Sequence, residues 1–246
     1  MIWQKEYLTE IDSTNRYLKE LAAAGAPEGT VIIADRQSAG RGRLGRSFFS
    51  PEEKGIYMSI LLRPEIALER AVLITSMAAV AVARAIERIC GVPAKIKWVN
   101  DIFLNNKKTC GILTEAGINA SSGTLDYAVL GIGINVGFME FPEELRTIAT
   151  SVSNECGFAV SKEVLIDEVL KELEVWYPTL SDGSFLEESK SRSLLLGKEI
   201  MVLDERIPEG FYPAKAVDIN ELGNLMIERE GVGQVLNSGE VSIRFL

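Results

Sequence analysis

The run from Ala71 to Ala83 is apolar on every face and is interrupted only by Thr75 and Ser76. A helix that is hydrophobic all round has to be buried. The run is too short to cross a bilayer, which takes roughly 20 apolar residues. It therefore reads as the central part of an internal helix over 68–90. The chain has 246 residues, enough for one large domain or for a large domain with a small companion.

Around that helix the pattern alternates. Asp12-Ser13-Thr14-Asn15 is rich in N-cap residues, and Tyr17, Leu18 and Leu21 follow at helical spacing, so a helix should run from here to about Ala24. Strands are expected over 30–34, 55–62, 95–98, 101–104, 109–115 and 127–136, with Asn105-Asn106 as a hairpin turn. Ser161 opens an amphipathic helix with Leu165, Val169, Leu173 and Trp176 on one face, and a further helix is expected over 185–195. Beyond Gly197 four short β-like runs, 198–204, 212–219, 224–230 and 240–245, are separated by glycines and Pro208 and suggest a small barrel. This places a domain boundary near Leu196.

Composition narrows the chemistry. Histidine is absent, which removes Ser-His-Asp and Cys-His nucleophile systems and every zinc site that needs imidazole. Cys90, Cys110 and Cys156 are odd in number and widely spaced, which argues against a disulfide framework and fits a reducing cytoplasm. The N-terminus lacks the apolar stretch of a signal peptide. The net charge of −9 disfavours binding to nucleic acid, so a local basic cluster points to a small anion.

Such a cluster is Gly40-Arg41-Gly42-Arg43-Leu44-Gly45-Arg46, inside a long loop from Gln37 to Pro51. Glycine permits positive φ and close backbone approach, and arginine supplies permanent charge and a fork of donors that suits phosphate. No Gly-Lys-Ser/Thr follows, so the segment is not a P-loop, and no helix opens at its end, so it is not a Rossmann fingerprint. A solvated basic loop and an arginine-glycine RNA-binding segment stay open beside an anion-closing loop. Asn100 and Asp101 sit at a strand junction where their oxygens can face a cation or a ligand, while Lys95, Lys97 and Lys108, taken in isolation, read first as solvated lysines of an ordinary hairpin. Gly131 and Gly133 sit inside one apolar strand, where each weakens the strand unless a flat ligand or a neighbouring element approaches closely.

In combination and in this order, these segments resemble the biotin–protein ligase family, in its form without an N-terminal DNA-binding domain. The likeness runs from Asp12-Ser13-Thr14-Asn15 through Gln37-Ser38-Ala39-Gly40-Arg41-Gly42-Arg43, Lys97-Trp98-Val99-Asn100-Asp101, Lys107-Lys108-Thr109-Cys110-Gly111-Ile112-Leu113 and Gly131-Ile132-Gly133-Ile134-Asn135 to Glu240-Val241-Ser242-Ile243-Arg244. It implies an α/β (α+β) fold: a mixed-sheet catalytic domain of the biotin/lipoate ligase type over 1–196 and a small Src-homology-like C-terminal β-barrel over 197–246. The activity it implies is ATP-dependent formation of biotinyl-5′-AMP, then transfer of biotin to one lysine of a biotin carboxyl carrier protein, that of acetyl-CoA carboxylase or a related carboxylase.

The resemblance also implies residue roles. Ser13, Thr14, Asn15 and Gln37 would bind the ureido ring, with Gly40, Gly42, Gly111, Ile112, Gly131 and Gly133 giving the bicycle access to backbone. Lys108, Arg41 and Arg43 would be catalytic and would contact both substrates. Arg46, Phe48, Asn100, Asn135 and Arg244 would meet ATP, and Asn100 or Asp101 would hold Mg²⁺. Val99 stands where proline is common in the family, and Phe48 where tryptophan is. The resemblance implies neither a nucleic-acid nor a membrane partner, and it leaves a homodimer open. With no room before Asp12 for a helix-turn-helix domain, a repressor role is not expected. The alternatives kept are a lipoate or octanoate ligase or transferase of the same superfamily, and a non-catalytic RNA-binding module.

Overall fold

The computed structural model describes residues 1–45, 48–119, 124–204, 206–237 and 242–245, the last four and residue 44 as backbone. Its first part is a seven-stranded mixed sheet in the order β1-β2-β3-β7-β6-β5-β4. The strands are β1 (Gln4–Ile11), β2 (Thr30–Gln37), β3 (Gly55–Leu62), β4 (Lys95–Lys97), β5 (Asp101–Leu104), β6 (Lys107–Ile118) and β7 (Leu125–Asn135). Among the described strands of this sheet, β1 and β2 pair in parallel and the other pairs are antiparallel. The mixed sheet and the separate C-terminal sheet are the architecture the resemblance implied.

Helix α2 (Val72–Cys90) is the apolar run, buried along nearly its whole length. It packs on one face of the sheet, against the inward residues Ile56, Met58 and Ile60 of β3 and Leu130, Ile132 and Ile134 of β7. Gly91 ends it in the left-handed region, where its N–H donates to the Glu87 carbonyl. The helix starts at Val72 and not at Leu68, and 68–70 form a separate 3-10 turn before it. Helix α4 (Lys162–Trp176) covers the outer side of α2. There Arg84 and Arg88 pair with Glu172 and Glu168, which gives the two buried carboxylates their counter-charges.

The opposite face of the sheet is covered at one end by α1 (Thr14–Ala23), whose Leu18 and Ala22 pack on Ile32, Leu61 and Val129. Its N-cap is Ser13, which accepts from the Arg16 N–H. The rest of this face holds the candidate site.

Several elements differ from the sequence reading. Strand β1 escapes it because its side chains are almost all exposed; backbone pairing at the sheet edge defines it. Helix α3 (Val152–Cys156) is only five residues long and was not expected. Helix α5 stops at Ser191 rather than near Leu195, because the chain leaves to pair with β4: Ile96 donates to the Arg192 carbonyl and Leu194 to that of Ile96. Trp98 is not in the strand expected over 95–98, and the Trp98–Val99 peptide is cis.

The C-terminal part is a five-stranded antiparallel sheet of β8 (Glu199–Leu203), β9 (Phe211–Ile219), β10 (Leu225–Arg229), β11 (Val232–Leu236) and β12 (Ser242–Phe245). The strand missed by the sequence reading is β11. Its hairpin turns on Glu230 and Gly231, both at positive φ.

The β9–β10 turn is fastened to the first sheet. The Trp98 indole N–H donates to the Gly223 carbonyl at 2.9 Å, and a Cβ on Gly223 would lie 2.9 Å from Leu73 of α2. Replacing Trp98 with phenylalanine keeps an aromatic ring of smaller size, removes the indole N–H and so strands a buried carbonyl. It should lower stability by about 1–3 kcal/mol. Chemical denaturation measures this, and an unchanged midpoint with an unchanged slope would show that the bond contributes nothing.

Candidate active site

Strand alternation sorts residues by face. On β6, Thr114 reaches α2 and meets Thr75 at 2.7 Å, so Gly111, Leu113 and Glu115 lie on the other face. On β7 the same face carries Gly131, Gly133 and Asn135, and on β3 it carries Tyr57 and Ser59. Register aligns them in two rows. Ser59, Gly131 and Leu113 form one, and Tyr57, Gly133 and Gly111 the other, which continues to Asp101 of β5.

In the first row Gly131 makes room for Asn15. A Cβ at Gly131 would lie 2.2 Å from Asn15 Oδ1. Asn15 Nδ2 donates to Glu115 Oε2 at 2.9 Å and to the Leu113 carbonyl at 3.2 Å. Its Oδ1 lies 2.6 Å from the fully buried Ser59 hydroxyl, which also touches Thr14 Oγ1 at 2.7 Å. Gln37 Oε1 accepts from the Thr14 N–H at 2.9 Å. Ser13, Thr14, Asn15 and Gln37 are thus brought together at the N-terminus of α1, as one cluster of uncharged polar groups.

In the second row the glycines make room for Phe48 and Lys108. A Cβ at Gly133 would lie 2.6 Å from the Phe48 ring, and one at Gly111 would lie 3.3 Å from both Phe48 and Lys108 Nζ. The Phe48 ring stands edge-on to Tyr57, with centroids 6.4 Å apart. Lys108 Nζ pairs with Asp101 Oδ1 at 2.7 Å. The Lys108 backbone is held on both sides, its N–H donating to the Ile148 carbonyl and its carbonyl accepting from Thr150, each at 2.9 Å.

The glycine-arginine loop reaches this second row. Its base is closed by the Phe48 N–H donating to the Gly40 carbonyl, and Gly40 is crowded, with Ser50 Oγ 2.9 Å from a built Cβ. The glycine of the loop that uses positive φ is Gly45. Arg43 Nη1 donates to Asn100 Oδ1 at 2.9 Å, and Asn100 is itself fixed by Nδ2 donating to the Ile112 carbonyl at 3.1 Å. Arg41 is exposed, and Gly42 lies between the two arginines. Arg46 lies outside the described residues. Arg244 is on β12, opposite Met201, and only its backbone is described.

The Ile112 side chain points into the core under α2, and its backbone is on the site side, where it exchanges hydrogen bonds with Asn100. Two expectations, both for Mg²⁺, need correction. Asn100 Oδ1 is occupied by Arg43, and the Asp101 carboxylate by Lys108. Oxygens already facing two cations do not fit a resident Mg²⁺. No group of three or more Asp, Glu or Cys suited to a metal occurs among the described residues.

Two residues matter that the sequence reading did not name: Ser59, hidden in an apolar strand, and Glu115. Burial works to raise the Glu115 carboxyl. The hydrogen bonds from Lys19 and Asn15 and the charges of Lys19 and Arg41 outweigh it and hold the group below the usual carboxylate range. Cys110, next to Gly111, has its thiol pushed up by burial and is no nucleophile at neutral pH. Among the described residues, Asn135 Oδ1 is buried without a hydrogen-bond partner, while its Nδ2 donates to the Thr150 carbonyl. No helix of the described chain is long and apolar enough to cross a membrane.

Comparison with known proteins finds the following similarities. The model of the biotin/lipoate A/B protein ligase family matches residues 7–135. The bifunctional ligase/repressor BirA of Bacillus spizizenii is 38% identical over 238 residues, 94% of this chain and 72% of the relative. A biotin–[acetyl-CoA-carboxylase] ligase of Mycobacterium tuberculosis is 29% identical, over 97% of this chain and 88% of its own. Among solved structures, a biotin protein ligase from Aquifex aeolicus in complex with biotin and ATP superposes with a TM-score of 0.84 at 33% identity, covering all of both chains.

Proposed function

The chain belongs to the biotin/lipoate A/B protein ligase family, and we propose that it is a biotin–protein ligase that makes biotinyl-5′-AMP from biotin and ATP and passes biotin to a lysine of a biotin carboxyl carrier protein. One observation carries the choice of substrate. Gly131 and Gly133, side by side on one face of β7, separate an uncharged hydrogen-bonding cluster (Thr14, Asn15, Gln37, Ser59) from a cationic one (Lys108, Arg43). Biotin has the matching polarity, a neutral ureido head and a carboxylate tail. Lipoate and octanoate share the tail but carry an apolar head, which would leave such polar groups unpaired. Sites that hydrogen-bond a substrate reject analogues lacking those groups strongly.

The biotin carboxylate attacks the α-phosphate and pyrophosphate leaves, so two anions must meet and positive charge already in place lowers the barrier. Lys108 bridges the reacting groups. Arg41 and Arg43 close over the acid and phosphates, with Arg46 at the triphosphate. Phe48 and Asn135 meet the adenosine: the free Oδ1 of Asn135 accepts from an exocyclic amine, and Arg244 reaches in from the C-terminal unit. Ser13, Thr14, Asn15 and Gln37 hold the ureido ring against the backbone of Gly40, Gly42, Gly111, Ile112, Gly131 and Gly133. Mg²⁺ enters with ATP as part of the substrate. Residues 1–196 form the catalytic unit and 197–246 a small barrel. The acceptor lysine belongs to acetyl-CoA carboxylase or a related carboxylase, and the enzyme works in the cytoplasm.

Pyrophosphate exchange into ATP is the test. It should require biotin and be absent with lipoate or octanoate. Exchange supported by lipoate and not by biotin would overturn the assignment.

A further inference from the structure

We propose that Glu115 is a positioning residue of the biotin pocket: acting through Asn15, it sets the direction of every hydrogen bond in the chain Asn15–Ser59–Thr14, so that these groups present acceptors to the ureido N–H groups. The inference rests on the biotin reading above.

The number of protons available fixes these directions. Asn15 Nδ2 faces two groups that only accept, Glu115 Oε2 at 2.9 Å and the Leu113 carbonyl at 3.2 Å. Reversing the amide would set its oxygen against a carboxylate and a carbonyl, so Oδ1 must point to Ser59. That oxygen carries no proton, so the single proton of the Ser59 hydroxyl bridges the 2.6 Å contact. Ser59 then has none left for Thr14 at 2.7 Å, and the proton of that contact is Thr14's own. Gln37 Oε1 accepts the Thr14 N–H at 2.9 Å and also lies 3.1 Å from Thr14 Oγ1, but the 2.7 Å contact to Ser59 is the shorter and has no other proton, so the Thr14 hydroxyl proton goes there. Both hydroxyl protons thus run inward toward Glu115, and the lone pairs left over are acceptors, the complement of a ureido N–H.

The anion is secured for this purpose. Lys19 Nζ lies 2.5 Å from Glu115 Oε1, and both belong to elements that frame the pocket, α1 and β6. Glu115 is half-buried, which keeps its charge effective at short range. Arg41 of the closing loop adds to the field on the same carboxylate.

The experiment is titration of purified protein with biotin in the absence of ATP, for the wild type, Glu115→Ala and Glu115→Gln, with KM for ATP measured alongside. Glu115→Ala should weaken biotin binding about tenfold, the size of a charge-assisted hydrogen bond, and leave KM for ATP within about twofold. Glu115→Gln keeps the volume and one acceptor oxygen, and should recover part of the loss. The polarity is read with analogues. Dethiobiotin keeps both ureido N–H groups and should show the full loss on Glu115→Ala. Of the two cyclic carbamates that replace one N–H by oxygen, at least one should show a smaller loss. Equal biotin affinity in the wild type and both variants would overturn the inference while leaving the function standing, as would an equal loss for all analogues. A wild type that takes no biotin would overturn both.

Discussion

Replacing Lys108 with alanine is expected to slow adenylate formation by about 10²- to 10³-fold, the size of the effect when one preorganised charge is removed from a reacting centre, with biotin affinity in the absence of ATP nearly unchanged. The split follows from position. Lys108 is on the second row, beside Gly111 and Phe48, and makes no contact with the Thr14–Asn15–Ser59 cluster that would hold the head of biotin. It is also preorganised. Its backbone is bonded on both sides to 148–150, and its ammonium is held by Asp101. Asp101→Asn should therefore cost less than Lys108→Ala, because it loosens the ammonium without removing the charge. Single-turnover measurement of biotinyl-AMP, with both substrates saturating, isolates the chemical step. Rates equal to wild type in the alanine variant would remove Lys108 from the chemistry and leave it as the partner of Asp101 alone.

The same residues show what a sequence can and cannot disclose. Gly131 and Gly133 were legible as an anomaly, since a glycine in a buried strand wants a reason. The reason was not legible, because it lies in Asn15 and Phe48, more than 80 residues away in the chain. Asn100 and Asp101 look like oxygen ligands when read along the chain, and only the fold brings Arg43 and Lys108 against them. Glu115 and Ser59 were invisible for the opposite reason. One is an ordinary acidic residue in a strand, and the other is a small polar residue in an apolar run. Their meaning lies in hydrogen bonds across three strands and a helix N-terminus. The apolar helix, by contrast, announced itself, since no surface position tolerates such a run. Strand β1 left no trace, because its side chains stay in water and its stability comes from backbone pairing with β2, which periodicity does not record.

The two glycines also give the sharpest separation of the two substrates. They are two residues apart on one face of β7, so alanine at either adds the same methyl to the same surface. At Gly131 that methyl would lie 2.2 Å from Asn15 Oδ1 and must displace it. Asn15 cannot move without breaking its bonds to Ser59, Glu115 and Leu113. Gly131→Ala should therefore weaken biotin binding on the order of 100-fold, since polar groups are left unpaired on both sides of the contact, with KM for ATP little changed. At Gly133 the methyl would meet the Phe48 ring at 2.6 Å. A ring can turn aside where a bonded amide cannot, so Gly133→Ala should be milder. It should raise KM for ATP about tenfold through the displaced ring, the order of one lost aromatic contact, with biotin affinity held. Calorimetric titration with biotin and initial-rate kinetics with ATP read the two effects independently. If both variants lose both substrates together, the rows are not separate subsites and the β7 face acts as a single packing surface. If each loses its own, the strand itself divides the pocket, and a separation of two residues' length decides which substrate a mutation touches.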